Sequence, residues 1–131
     1  MKIERIDHFV LTVRDIAATC DFYGRGLGMT VETFGAGRTA LHFGRQKINL
    51  HEAGREFDPK AVSPMPGSGD FCLITETPLD EVVAHLQAEG LEIELMPSSR
   101  TGAVGPIASI YLRDPDGNLV EISTYRTPPQ D

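Results

Sequence analysis

Short runs of alternating apolar and polar residues, closed by glycine, proline or aspartate, dominate the pattern of this chain. Alternation with a period of two puts successive side chains on opposite faces of a strand. Ile6 to Val13 and Gly69 to Thr75 read as two such strands. They superpose at a shift of 62 residues, with Phe9 on Phe71 and Leu11 on Leu73. Each leads into a helix signal. Asp15 is an N-cap before Ile16; Thr77 is its counterpart, with Pro78 at the first helical position. Leu79, Val82, Val83 and Leu86 fall at i, i+3, i+4 and i+7, the stripe of an amphipathic helix, and Ile16, Cys20, Tyr23 and Leu27 give a similar one. Gly28 and Gly90, again 62 apart, read as left-handed helix stops.

Further strands follow each helix. Met29 to Phe34, Thr39 to Phe43 and Lys47 to Glu52 complete the first copy; Leu91 to Met96, Ser109 to Arg113 and Asn118 to Tyr125 complete the second. Asp114-Pro115-Asp116-Gly117 between apolar runs is a turn signal. The later strands superpose at a shift of 70, so the second copy carries about eight extra residues, assigned to a loop over Pro97 to Pro106. The pattern predicts an α+β fold, two tandem βαβββ modules forming a cupped mixed sheet. Module 1 spans 3–53, a linker 54–68, module 2 69–125 and a loose tail 126–131, all within one domain.

Composition narrows the function classes. A formal net charge of −7 argues against a general nucleic-acid or anionic-membrane binder. No stretch is apolar enough to span a membrane, and the N-terminus lacks a signal-peptide core, so a cytoplasmic setting is expected. Cys20 and Cys72 have no motif spacing and read as reduced, buried small hydrophobes.

Four positions stand out as candidate chemistry. The shift of 62 aligns His8 with Asp70, and the shift of 70 aligns His51 with Glu121. Imidazole nitrogen and carboxylate oxygen are metal-ligand types. Alternation puts His8, Val10 and Thr12 opposite the core-facing Phe9, Leu11 and Val13, and puts Glu121 opposite Val120 and Ile122. A carboxylate inside such a strand is costly unless it is paired, and a cation removes the cost. His42 has Leu112 as its counterpart and His85 lies on the second helix, so both read as structural.

The run Ile6-Asp7-His8-Phe9-Val10-Leu11-Thr12-Val13-Arg14-Asp15, Phe22-Tyr23 before Leu27-Gly28, and Tyr111-Leu112-Arg113-Asp114-Pro115-Asp116-Gly117-Asn118-Leu119-Val120-Glu121 together resemble the vicinal oxygen chelate superfamily. That superfamily contains glyoxalase I, extradiol dioxygenases, and the fosfomycin- and bleomycin-resistance proteins. Lys47-Ile48-Asn49-Leu50-His51 and Arg100 to Ile107 are similar to small glyoxalase-domain proteins sometimes labelled virulence proteins. The resemblance implies a cup with one divalent metal ion per site (Zn, Ni, Co, Mn or Fe), held by His8, His51, Asp70 and Glu121. The split of His and His in the first module, Asp and Glu in the second, departs from the His-then-Glu pattern of bacterial glyoxalase I.

What the resemblance implies chemically is a glyoxalase-like lyase or isomerase. Its substrate has adjacent oxygens, such as the hemithioacetal of a 2-oxoaldehyde with glutathione as cosubstrate. Glu121 or Asp70 is the candidate proton carrier, and Arg100 the candidate clamp for a substrate anion. The alternatives are a non-catalytic, antibiotic-sequestering protein of the bleomycin-resistance type and a ring-cleaving dioxygenase. A homodimer is expected, with sites shared between chains and a small molecule, not nucleic acid or membrane, as partner.

Overall fold

The computed structural model describes residues 1–125, so the expected tail at 126–131 lies outside the described residues. The chain divides into two compact units, Met1–Ser68 with Pro115–Gly117, and Gly69–Asp114 with the residues from Asn118 on. The first contains β1 (His8–Val13), α1 (Ile16–Asp21), β2 (Thr30–Phe34), β3 (Arg38–Phe43) and β4 (Gln46–Glu52). The second contains β5 (Asp70–Ile74), α2 (Leu79–Ala88), β6 (Ile93–Gly102), β7 (Gly105–Arg113) and β8 (Leu119–Tyr125). Each unit builds a four-stranded sheet in the same order, β1-β4-β3-β2 and β5-β8-β7-β6. Its first and last strands pair in parallel and the rest antiparallel. This is the α+β, twice-repeated βαβββ architecture read from the sequence.

One face of each sheet carries that unit's core. Leu11, Val13, Leu41, Ile48 and Leu50 are buried in the first, with Phe22 and Tyr23 from the helical segment; Ile110, Leu112, Val120 and Ile122 are buried in the second, with Leu79 and Leu86 of α2. Strand alternation then fixes which residues occupy the opposite face. Asp15 caps α1 through its side chain, accepting from the Ala18 N–H at 2.9 Å. Beyond Asp21 the helix widens into a π-helical turn, Phe22–Gly26. The wider turn buries Thr19, Phe22, Tyr23 and Gly26 instead of the regular stripe through Cys20 and Leu27. Gly28 and Gly90 both take positive φ, 77° and 73°, the left-handed stops expected at those positions.

Three expectations are corrected. The N-cap residue of α2 is Pro78, with ψ 139°, so the helix starts one residue later than the Thr77 cap placed it; no side chain caps it. The residues 97–106, expected as a loop, belong to a long β-hairpin. Ser98 pairs with Ser109, Arg100 with Ile107 and Gly102 with Gly105, and the ladder satisfies backbone groups that a loop would leave to water. Cys72 is exposed on the face away from the core, not buried. Among the described residues no helix is long and apolar enough to cross a membrane.

Candidate functional site

The parallel β-pairs decide which polar residues are neighbours. In the first unit His8 pairs with Lys47, Val10 with Asn49 and Thr12 with His51. In the second Asp70 pairs with Leu119, Cys72 with Glu121 and Ile74 with Ser123. With β1 laid on β5 at a shift of 62, β4 therefore lies on β8 at a shift of 72, not 70. The counterpart of Glu121 is Asn49, and that of His51 is Ser123. This corrects the pairing of His51 with Glu121.

Distance follows from register. Asn49 is two steps along from the partner of His8, about 7 Å, and Glu121 stands in the same relation to Asp70. His51 is four steps along, about 13 Å, too far for a comfortable shared ion with His8. The register thus brings His8 together with Asn49, and Asp70 with Glu121. It separates His8 from His51. Among the described residues no three His, Cys, Asp or Glu side chains converge.

Each donor is set by its surroundings. His8 Nδ1 lies 2.8 Å from Asp7 Oδ2, an arrangement in which Nδ1–H donates to the carboxylate and Nε2 presents its lone pair. Asp7 is itself tied down, since its carbonyl accepts from the Lys47 N–H. Asn49 Oδ1 is buried without a hydrogen-bond partner among the described residues, the condition of an acceptor waiting for a cation or a donor. Glu121 accepts at Oε2 from Ser109 Oγ at 2.7 Å and from Ser123 Oγ at 3.2 Å. Ser109 and Ser123 lie 2.6 Å apart and both are fully buried. The two hydroxyls hold one carboxylate oxygen, and Oε1 makes no hydrogen bond among the described residues. Imidazole nitrogen and amide oxygen in the first unit, and carboxylate oxygen in the second, are ligand types for a borderline divalent ion.

Asp70 is positioned through its neighbour. The Gly69 N–H donates to Asn118 Oδ1 at 2.7 Å. Asn118 is buried in the turn before β8, where its N–H and Nδ2 both donate to the Asp114 carboxylate. Asp70 itself stays exposed at the start of β5. Cys72 Sγ is 3.2 Å from Ser123 Oγ. Although the residue is exposed, partial desolvation of its sulfur pushes the thiol pKa up, the Ser123 contact offsets part of this, and the Glu121 charge adds to the rise. A raised thiol pKa argues against Cys72 as a nucleophile.

Arg100 is on the hairpin arm of β6. Its Nε donates to Tyr111 Oη at 3.1 Å, with the guanidinium 5.4 Å from the Tyr111 ring centroid. Tyr111, the residue that Arg100 engages, pairs directly with Glu121 across the strands. His42 is ion-paired to Glu32 at 3.1 Å, in line with its structural reading. His51 is 7% exposed, edge-on to Phe57 at 5.6 Å. Burial holds its pKa below the ordinary histidine value, and the nearby Arg38 charge lowers it further.

Sequence reasoning missed Asn49, Ser109 and Ser123. An amide and two hydroxyls inside strands carry no motif, and only the register reveals what they face.

Residues 5–122 match the family described as the Glyoxalase/Bleomycin resistance protein/Dioxygenase superfamily. The chain is 56% identical over 125 residues to virulence protein STM3117 of Salmonella typhimurium, covering 95% of this chain and 87% of that one. The crystal structure of that protein superposes with a TM-score of 0.95 over 96% of this chain and 100% of the other. The glyoxalase domain-containing protein RDO1 of Mycosarcoma maydis is 52% identical over 126 residues, 96% of this chain and 71% of that protein. A lactoylglutathione lyase from Agrobacterium tumefaciens shares the fold, with a TM-score of 0.71 at 23% identity over 95% of this chain and 96% of the other.

Proposed function

We propose, from the premise that this chain belongs to the Glyoxalase/Bleomycin resistance protein/Dioxygenase superfamily, that it is a metal-dependent, glyoxalase-like lyase or isomerase of a small substrate with adjacent oxygens. The observation that carries this reading is the matched pair of donor pairs. His8 with Asn49, and Asp70 with Glu121, each stand two steps apart in a parallel β-pair, on the face turned from the core. The residues that would hold a divalent ion are His8 through Nε2, Glu121 through Oε1 and Asn49 through Oδ1, with Asp70 as the fourth. His51 leaves this set on the register.

A divalent ion at such donors supplies a Lewis acid for the two substrate oxygens. The chain's own residues do the rest. Asp7 fixes the His8 tautomer. Ser109 and Ser123 keep Glu121 from rotating, so a proton taken from the substrate carbon is received and returned at a fixed position. Asp70, open to water, is the alternative proton carrier. The specific reading is the isomerisation of a 2-oxoaldehyde–glutathione hemithioacetal, with Arg100 held on Tyr111 toward the anionic end of the substrate.

Elemental analysis tests the proposal. Protein purified without added metal should carry a stoichiometric divalent ion, and His8→Ala and Glu121→Ala should each lose most of it. Equal metal content in both variants and the wild type would sink the site. Disappearance of the methylglyoxal–glutathione hemithioacetal tests the reaction. A fully loaded protein that leaves it unchanged would move the function to ligand binding, the resistance-protein side of the same superfamily.

A further inference from the structure

On the first unit's face turned from the core, two cations make no ion pair among the described residues. Acidic residues outnumber Lys and Arg 19 to 12 in this chain, yet neither of these two cations has a carboxylate in ion-pair contact. The Arg38 guanidinium lies 4.4 Å from the ring centroid of Phe57, and Lys47 Nζ lies 3.9 Å from that of Phe34. Among the described residues neither head group makes an ion pair or a hydrogen bond. Asp7, the carboxylate closest in effect to Lys47, is already engaged by His8 and Arg5.

Register sets the two four positions apart along β3, and the reach of the lysine side chain closes the gap. Lys47 starts opposite His42, but its ammonium ends over Phe34, which pairs with Arg38. Both charges therefore lie toward the same end of the face, and Arg38 is two positions from Ala40, the partner of Asn49. Both side chains are only partly exposed. The aromatic rings hold each cation in place from below, yet they accept none of the N–H groups. A guanidinium and an ammonium held this way are a donor-rich, acceptor-poor surface. An acceptor-rich anion satisfies it, and a planar carboxylate matches the guanidinium fork.

The geometry points to a carboxylate-binding subsite formed by Arg38 and Lys47, with Phe57 and Phe34 as their supports, so that the substrate of this protein carries a carboxylate. The inference rests on the metal reading only in taking the bound molecule as the substrate. The anion subsite itself is independent of any ion.

The test separates the two. Chelator-treated protein is titrated by calorimetry with sodium oxalate, and with its neutral isostere oxamide, at matched ionic strength. Saturable oxalate binding is expected, at least tenfold tighter than oxamide. Arg38→Met and Lys47→Met keep the apolar stems over the rings and should each weaken oxalate at least tenfold. Arg38→Lys, which keeps the charge but not the fork, should fall between. Unchanged melting temperatures certify that the variants are folded. No saturable oxalate binding in the wild type, equal binding of oxamide, or wild-type affinity in both methionine variants overturns the subsite. Metal content is read separately in Arg38→Met. It should equal the wild type, and a wild type without metal refutes the donor set while leaving the oxalate result intact.

Discussion

Ser109 and Ser123 are fully buried hydroxyls that meet each other and the Glu121 carboxylate on the side of the sheet away from the apolar core. A buried hydroxyl must find a partner, and here the partner is the carboxylate proposed as metal ligand and proton carrier. Ser109→Ala removes the 2.7 Å bond and lets the carboxylate turn. Metal affinity, read by competition with a chelating dye, should fall about 10- to 100-fold, the usual effect of losing a group that orients a ligand. Stability should fall by about 1 kcal/mol, the net worth of a hydrogen bond. Ser109→Thr, which keeps the hydroxyl and suits a strand, should restore the affinity. A loss of melting temperature with unchanged affinity would make the serine merely structural. At this scale the proposed donors are half legible in the sequence. His8, Asp70 and Glu121 are visible because charged or imidazole side chains interrupt apolar strands. Asn49 was hidden because aligning like with like matched His51 to Glu121, whereas strand pairing depends on backbone register and ignores side-chain chemistry.

The elements were more legible than their limits. Period-two alternation and the stops at Gly28 and Gly90 marked both βαβ halves, because burial on one face imposes that pattern whatever the details. The hairpin of β6 and β7 escaped because Pro97, two serines and two glycines are turn formers by composition. A ladder of backbone bonds overrides that preference. Register shifts between Ile93 and Ser98 accommodate the proline region. The arm is then pinned at its tip. Tyr125 Oη accepts from the Val104 N–H at 3.2 Å, and a Cβ on Gly102 would come within 2.7 Å of that oxygen and 2.9 Å of Ile107 Cγ2. Gly102→Ala should therefore destabilise the protein by about 1–3 kcal/mol, as overpacking does. Hydrogen exchange should rise in residues 98–109 and not in β1 or β4. Uniform exchange across the chain would show that the clash is absorbed elsewhere. Arg100 rides on this arm, so the same variant tests whether hairpin rigidity matters for substrate affinity.

At the scale of the whole molecule, the donor residues are divided between two units of one chain, His8 and Asn49 in the first and Asp70 and Glu121 in the second. Twofold assembly is the common way for such half-sites to be completed, because an isologous interface brings each residue of one chain to its complement on the other. We therefore expect a homodimer at micromolar concentration, measurable by sedimentation. Mixing distinguishes shared sites from sites that each chain completes alone. His8→Ala and Glu121→Ala protomers, each inactive and metal-poor as homodimers, are unfolded together and refolded. In a mixed dimer with shared sites both lesions fall in one site and leave the other intact. Random pairing then restores about a quarter of all sites, in metal content and in turnover alike. A chain that completes its own site recovers nothing in this mixture, since every site keeps one lesion. Recovery near a quarter carries the shared-site dimer, and its absence in a protein that sediments as a dimer refutes it.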